Sequence, residues 1–250
     1  MASKKKTPKK YQATVFIYSR YERFWHWMQA LLIFLLIFTG LEIHGLYTLM
    51  PYGLAVTLHD IGALLLMTLW VFTIFWNFVT GNWRQFAPFL PSRAEDGKVA
   101  TAVKNMFNQV FAVARFYGWG IFKGEKHPHI KTLRSKQNDM QALAYFGFMV
   151  FMAPLIWFSG LAYLLYDFWN GGNGSQLWFQ IVAFIHVLAA FIIIAFVIVH
   201  VYMTTTGETL THYITGMFTG YEEIEIDEVE KEYLEATAPN LIKHIEEETA

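Results

Sequence analysis

The chain has 250 residues, 55% of them hydrophobic and 18% aromatic, with a formal net charge of −1. Soluble domains are about 45–50% apolar, so this composition excludes an ordinary soluble domain and favours an integral membrane protein. The chain has no cysteine, which excludes disulfides, thiolate-held iron–sulfur clusters and covalently attached c-type haem. Any haem would therefore be of the b type, held by side-chain ligands alone.

The chain begins with a basic segment, residues 1–22, with five lysines among the first ten residues. We expect it to be disordered to about Lys10. Four apolar stretches follow, each near or above the ~20 residues that cross a bilayer as a helix. They cover residues 24–43, 54–79, 141–166 and 178–203, with tyrosine and tryptophan at their ends, as in interfacial belts. The sequence therefore predicts an all-α fold, an integral membrane four-helix bundle over residues 23–206.

The segment 80–140, between the second and third spans, is too long to be a bare connection. Apolar residues recur there at three- and four-residue steps from Val99 to Tyr117, which indicates an amphipathic cytoplasmic helix. Two positions for this helix stay open: the inner membrane surface, or a solvated position against the protein's own cytoplasmic face. The segment 207–250 is an acidic tail, helix-compatible over 221–237, to which the sequence assigns no chemistry.

Lysine and arginine are distributed unevenly between the two sides of these spans. Seven of the nineteen precede the first span, ten lie in 80–140 and two in the tail, whereas none lies in the short loops 44–53 and 167–177. Because cationic segments are retained inside, we expect both termini and the middle loop to be cytoplasmic. Basic residues beside a span also favour contact with anionic lipid head groups.

A weak internal repeat links the two pairs of spans. The first span contains Thr39-Gly40-Leu41 and the third contains Ser159-Gly160-Leu161, while the second span carries His59 near its start and the fourth carries His186. Two interpretations stay open: a duplicated helical hairpin, whose small residues permit close approach of helices or of a flat macrocycle, or chance similarity among apolar segments.

Four histidines lie within the spans, where polar side chains are costly and usually functional. His186 and His200 are fourteen residues apart, which places them on one helix face about 21 Å apart along the axis. By the predicted topology, His26 and His200 lie near the inner surface, and His59 and His186 near the outer surface. Each pair joins two helices at one level, which indicates two b-haems with two axial imidazoles each. A packing role or a proton relay is the alternative, although apolar residues separate the two pairs.

The run Arg23-Phe24-Trp25-His26-Trp27, the later Phe38-Thr39-Gly40-Leu41 and the fourteen-residue histidine spacing resemble a known family. This family comprises the four-helix di-haem cytochrome b subunits of respiratory formate dehydrogenases, uptake nickel–iron hydrogenases and thiosulfate-reductase-type enzymes. The resemblance covers about residues 18–80 and 134–206. It implies a multi-pass protein of a bacterial or archaeal cytoplasmic membrane, with His26, His59, His186 and His200 as ligands of haem iron.

The same resemblance implies a quinone site where the third span begins. The family tends to carry a K-x-N-x-x-Q signature there, and this chain reads from Lys136 to Gln141. By that similarity Asn138 and Gln141 are candidate contacts for menaquinone or ubiquinone, because an amide can donate to a quinone carbonyl and accept from a quinol hydroxyl. The alternative is a polar helix start capped by Asn or Asp. Arg20 and Arg23 are candidate partners for the propionates of the inner haem, or else surface anchors.

These observations lead to three functional hypotheses. The first is an electron-transfer and quinone-reactive subunit of a membrane oxidoreductase complex, which links an extracytoplasmic iron–sulfur or multihaem cytochrome c partner to the membrane quinone pool. The second is a free-standing oxidoreductase of the cytochrome b561 type that acts on a small oxidant. The third is a haem-free anchor or transporter whose histidines bind metal or move protons.

Overall fold

The computed structural model describes residues 10–125, 128–129, 137–170, 175–207 and 209–247. The chain divides into two compact units. The first, here called the membrane unit, contains Phe24–Asn82 and Tyr145–Leu210. The second unit contains the other described residues, from the beginning, middle and end of the chain.

Five long helices occur in the described residues. They are α1 (Arg20–Ile43), α2 (Tyr52–Thr80), α3 (Val99–Gly118), α4 (Asp139–Leu164) and α5 (Ser175–Thr204). All except α3 are long and apolar enough to cross a membrane. The predicted four-helix membrane bundle is therefore confirmed, and its helix ends differ from the predicted ones by only a few residues.

Helix α4 is regular except at Phe148–Met152, where it forms a wider π-helical turn. The irregularity lies just before the second part of the helix, which begins at Ala153 and has Pro154 in its first turn. Proline has no N–H to donate and its ring clashes with the carbonyl four residues earlier. A π turn relieves that clash, so α4 continues to Leu164 without a break.

Two features bring the helices of the membrane unit together. A cluster of apolar side chains from three helices packs in its interior and consists of Leu32, Leu66, Trp70 and Ala153. Several other buried residues of the membrane unit are small or carry a hydroxyl group, among them Thr39, Ser159 and Ala189. Where such residues face a neighbouring helix, the two backbones can approach closely.

The second unit contains a three-stranded antiparallel sheet. Strand β1 (Lys10–Phe16) is central and pairs with β2 (Tyr221–Asp227) and β3 (Ile242–Glu247). Its core is formed by the alternate residues Tyr11, Ala13, Val15, Ile17, Ile224 and Ile226, with Leu234. The lead-in from Lys10 and the acidic tail are thus joined in one structure.

This sheet corrects two expectations. The all-α description holds for the membrane unit but omits the sheet, and the helix-compatible reading of 221–237 is wrong for its first seven residues. Residues 223–227 alternate between charged side chains and isoleucine, a period of two that favours a strand. The later part of the stretch is helical (α7, Glu228–Thr237), after the short helix α6 (His212–Thr219). Asp227 and Glu230 form a capping box at the start of α7.

Helix α3 confirms the predicted helix in the middle loop. One face is buried and presents Ala102, Met106 and Val113. On another face Phe107 and Phe111, one turn apart, are 59% and 73% exposed. The helix therefore has two apolar faces, only one of which the protein itself covers.

Candidate functional site

The four span histidines form two close pairs in the membrane unit. The ring centres of His26 on α1 and His200 on α5 are 6.2 Å apart, with their planes inclined at 50°. Those of His59 on α2 and His186 on α5 are 6.4 Å apart and inclined at 70°. The structure thus brings together the same two pairs that the predicted depths of the spans suggested.

The separation within each pair fits two axial ligands of one metal. A bond from a metal to an imidazole nitrogen is about 2 Å, and the nitrogen lies about 1.1 Å from the ring centre. Two imidazoles on opposite sides of one iron therefore have ring centres about 6.3 Å apart. Both observed separations lie close to that value.

A bare metal ion is a poorer match for these histidines. Among the residues that the structure describes, no group of three or more His, Cys, Asp or Glu side chains could hold a metal ion. Structural zinc sites have four protein ligands and catalytic zinc sites three. A haem supplies four nitrogens of its own, so two histidines complete its coordination. The donor set in each pair therefore fits a haem iron.

The His59–His186 pair is held by side chains from the neighbouring helices. Thr39 Oγ1 on α1 lies 2.9 Å from His59 Nδ1, and Ser159 Oγ on α4 lies 3.0 Å from His186 Nδ1. The next residue in each case is glycine. A Cβ atom at Gly40 would lie 3.4 Å from His59 Cε1, and one at Gly160 would lie 3.3 Å from His186 Cε1. Glycine therefore leaves room for each imidazole ring.

The His26–His200 pair has a different environment. His26 Nδ1 is buried and has no hydrogen-bond partner among the described residues. The His200 ring stacks nearly parallel to Phe196, with centres 6.0 Å apart and planes inclined at 13°. Both rings of this pair therefore contact aromatic side chains, Trp27 for His26 and Phe196 for His200.

The candidate quinone contacts Asn138 and Gln141 bond to each other at the start of α4. The backbone N–H of Gln141 donates to Asn138 Oδ1 at 2.8 Å, and the backbone N–H of Asn138 donates to Gln141 Oε1 at 3.1 Å. Asn138 is therefore a helix cap, as the alternative interpretation required. Its side-chain NH2 group and that of Gln141 are not used in these two bonds. Lys136, the first residue of the signature, lies outside the described residues.

The two arginines proposed as propionate partners lie at the start of α1. Arg20 is exposed. Arg23 donates from Nη1 to the carbonyl oxygen of Phe218, and its guanidinium carbon lies 5.7 Å from the centre of the Phe16 ring. Arg23 Nε is buried without a hydrogen-bond partner in the described part of the chain. Contact of either arginine with a propionate stays a prediction.

Sequence reasoning missed the roles of three polar residues. Thr39 and Ser159 stand out in the sequence only as members of the repeat, and their position directly before a glycine in both copies is the signal that indicates a shared role. The sequence pattern assigns no role to Glu42. Its Oε1 accepts from the backbone N–H groups of Leu49 and Met50, at 2.7 and 3.1 Å, so it ties the α1–α2 loop to the end of α1. Burial and the nearby Glu42 carboxylate raise the pKa of Tyr47 in the same loop.

Comparison with known proteins agrees with this site. The model of a family described as prokaryotic cytochrome b561 matches residues 17–220, which include all four paired histidines. The chain belongs to this family. A protein of Escherichia coli (strain K12) named "Putative cytochrome YdhU" is 31% identical to it over 220 residues, or 87% of this chain and 78% of that protein. No solved structure matches the chain significantly.

As a member of the prokaryotic cytochrome b561 family, the chain is a bacterial membrane protein with an electron-transfer role and a b-type haem. The predicted resemblance is thereby confirmed at the level of the cytochrome b family. The histidine pairs described above are the groups in this chain whose number and spacing fit such a haem.

Proposed function

We propose that this protein carries electrons between an extracytoplasmic redox partner and the membrane quinone pool, with one b-haem at each histidine pair. The observation that carries the proposal is the near-equal separation of the two pairs, 6.2 and 6.4 Å between ring centres. A haem bound by two imidazoles has no open iron position, so it supplies electron transfer rather than oxygen or substrate binding. His26 and His200 would be the ligands of one haem, and His59 and His186 those of the other.

The charge distribution supports an orientation for this route. Both loops predicted to face outward, 44–53 and 167–177, contain no lysine or arginine. By the positive-inside rule, the His59–His186 level lies toward the outside and the His26–His200 level toward the cytoplasm. An outer surface without cations leaves haem propionates to neutral donors or to a partner. This favours an obligate complex with an iron–sulfur or multihaem cytochrome c subunit.

The test of haem binding is removal of one ligand at each level. His59→Ala and His200→Ala should each lower the haem content of the purified protein from two b-haems per chain to about one. His244→Ala is the matched control, because this exposed histidine in β3 lies outside both pairs and bonds to Glu246 at 2.6 Å. Haem is counted from the reduced pyridine complex. A wild-type protein without haem, or equal haem in all variants, would contradict the proposal.

We propose Asn138 and Gln141 as the quinone contacts at the cytoplasmic level. Asn138 is buried, and its amide NH2 group is not used in the cap, so it can donate to a quinone carbonyl. The reaction needs two electrons and two protons for each quinone, and the orientation proposed above would exchange those protons with the cytoplasm. Menaquinone and ubiquinone both carry the carbonyl groups that this contact requires.

A second candidate function is a free-standing cytochrome b561-type oxidoreductase that acts on a small oxidant such as superoxide, without a fixed partner. The family description favours it. The two candidates differ in what accompanies the protein in its membrane. Co-purification of a cofactor-bearing subunit from mild detergent supports the complex, whereas rapid oxidation of the isolated reduced protein by superoxide supports the second candidate.

We also propose that the exposed face of α3 lies on an anionic membrane surface. Phe107 and Phe111 supply an apolar stripe, and Lys104 is exposed beside it, a combination typical of interfacial helices. The chain has no cysteine, so a single Phe111→Cys variant can carry an environment-sensitive fluorophore. Its emission should shift to the blue in nanodiscs with anionic lipid. A label at exposed Asn105 on another face is the control, and equal emission from both would contradict the proposal.

A further inference from the structure

The hydroxyl groups of Thr39 and Ser159 have a defined donor and acceptor arrangement. Thr39 Oγ1 lies 2.8 Å from the carbonyl oxygen of Leu35, and Ser159 Oγ lies 2.7 Å from that of Leu155, each one helical turn earlier. A carbonyl oxygen only accepts, so each hydroxyl donates its single proton to its own helix. The hydroxyl oxygen is then left to accept from the imidazole of His59 or His186.

This arrangement selects one form of each histidine. A neutral imidazole has one N–H and one nitrogen lone pair. Since Nδ1 of His59 and His186 faces an oxygen that can only accept, Nδ1 carries the proton in both. The lone pair therefore lies on Nε2, which is the nitrogen available to a metal. A hydrogen-bond acceptor at the other ring nitrogen fixes the tautomer and orientation of a histidine ligand and raises its basicity.

At the other level the described residues provide no such support to His26. His26 Nδ1 is buried without a hydrogen-bond partner in the described residues, and His200 stacks on the apolar ring of Phe196. Both levels thus present two imidazoles at the same spacing. They differ in that hydroxyl oxygens hold Nδ1 of both His59 and His186, whereas the described residues leave Nδ1 of His26 without such a partner.

We infer that Thr39 and Ser159 are positioning residues that lower the reduction potential at the His59–His186 level. The inference rests on the proposed haem ligation by that pair. An imidazole whose Nδ1–H donates a hydrogen bond is a stronger electron donor through Nε2. It stabilises the more positively charged ferric iron, so the potential falls. Two such bonds act at this level, whereas the described residues provide none to His26 Nδ1.

The test compares two threonine variants in the purified, haem-loaded protein. Thr39→Val removes the hydroxyl that faces His59. Thr73→Val is the matched control, because Thr73 is also buried and also donates to the carbonyl one turn earlier, at 2.8 Å, within α2. Both changes remove one intrahelical bond from a membrane helix of the same protein. A third variant, Thr39→Ser, restores the hydroxyl.

Potentiometric titration followed at the haem absorption bands measures the effect. Thr39→Val and Ser159→Ala should each shift one midpoint potential to more positive values, and the same one in both variants. We expect up to a tenfold change in the ratio of reduced to oxidised haem at fixed potential, which for one electron is 59 mV. The other midpoint should stay in place. Thr73→Val and Thr39→Ser should match the wild type.

The outcomes separate this inference from the proposed ligation. If His59→Ala and His200→Ala each remove one haem but Thr39→Val moves neither midpoint, the inference is overturned and the ligation stands. A shift confined to the haem that His200→Ala removes would also overturn it. Loss of only the His59–His186 haem in Thr39→Val, with recovery in Thr39→Ser, supports the positioning role. A wild-type protein that contains no haem would contradict the proposed ligation itself.

Discussion

The two histidine levels of the membrane unit differ in their relation to the internal repeat. At the His59–His186 level both copies contribute equivalent parts, because Thr39-Gly40 supports one histidine and Ser159-Gly160 supports the other. At the His26–His200 level the two histidines come from non-equivalent positions. In the repeat, Phe146 corresponds to His26 and Thr73 corresponds to His200.

This difference teaches that a duplicated hairpin can supply one symmetric ligand pair directly, whereas a second pair requires a change in each copy. The first copy contributes its early position on α1, and the second copy contributes its late position on α5. A Cβ atom added at Gly40 would lie 3.4 Å from the His59 ring and one at Gly160 would lie 3.3 Å from the His186 ring, and this equivalence favours the duplication over chance similarity. These short distances also make the symmetric level the more sensitive one to small changes in side-chain volume.

The largest effect on haem content is expected from a substitution that fills the space beside His186. Gly160→Leu places a branched side chain where even a Cβ atom would lie 3.3 Å from the ring, so the ring must move away from its partner. We expect haem content to fall from two to about one per chain. Gly147→Leu is the control on the same helix, because no atom lies within 4 Å of a Cβ there, and it should retain both haems. Equal haem in the two variants would contradict the role assigned to Gly160.

A moderate effect is expected from Asn138, the proposed quinone contact. Asn138→Asp keeps an acceptor for the Gln141 N–H but removes the amide donor, whereas Asn138→Ala removes both and loses about 1 kcal/mol of helix capping. If the amide binds quinone, both variants should slow reduction by quinol at least tenfold. Only Asn138→Ala should lower the melting temperature.

The readout of this experiment is stopped-flow reduction of the haem that His200→Ala removes, with the remaining haem recorded in parallel. Normal rates in Asn138→Asp, together with slow rates in Asn138→Ala, would show that only the cap matters. That result would remove Asn138 from the quinone site and leave both histidine levels unchanged.

The smallest effect is expected from Trp70→Phe. Trp70 packs against Phe148 and Trp157, with ring centres 5.6 and 5.3 Å apart, and its Nε1 is buried without a hydrogen-bond partner among the described residues. Removal of an unpaired buried donor offsets part of the lost ring contact. The free energy of unfolding should therefore fall by less than about 1–2 kcal/mol. The spectra of both haems should stay the same. A changed spectrum at either level would show that this aromatic cluster supports a ligand.

The helical part of the fold could be predicted because a membrane span needs a long apolar stretch, and four such stretches are evident. The histidine pairs followed from helix geometry and from the alternating direction of the spans. The sheet was missed because β1 and β2 are seven-residue strands whose pairing joins Lys10 to Asp227 across almost the whole chain. A period of two over Tyr221–Asp227 was present, but the abundance of glutamate there favours a solvated helix when considered alone.

The hydroxyl partners of the histidines could not be predicted with the same ease. Thr39 and Ser159 lie within helices, where such residues usually bond only to their own backbone. Which of them also faces an imidazole depends on the rotation of two helices about their axes. The sequence pattern does not specify that rotation to within one side chain. Thr73 makes the same helical bond within α2, so this bond does not by itself identify Thr39 as a partner of a histidine.

The central claim is that two haems are bound in this chain, one by each histidine pair, and electron paramagnetic resonance of the oxidised protein tests it most directly. Because the ring planes are inclined at 70° in one pair and 50° in the other, the two low-spin ferric irons should give distinct signals, with the larger maximal g value for the more perpendicular pair. We expect two signals of equal intensity, the first absent in His59→Ala and the second in His200→Ala. A single low-spin signal equal to one iron per chain, or a high-spin signal in the wild type, would contradict the account.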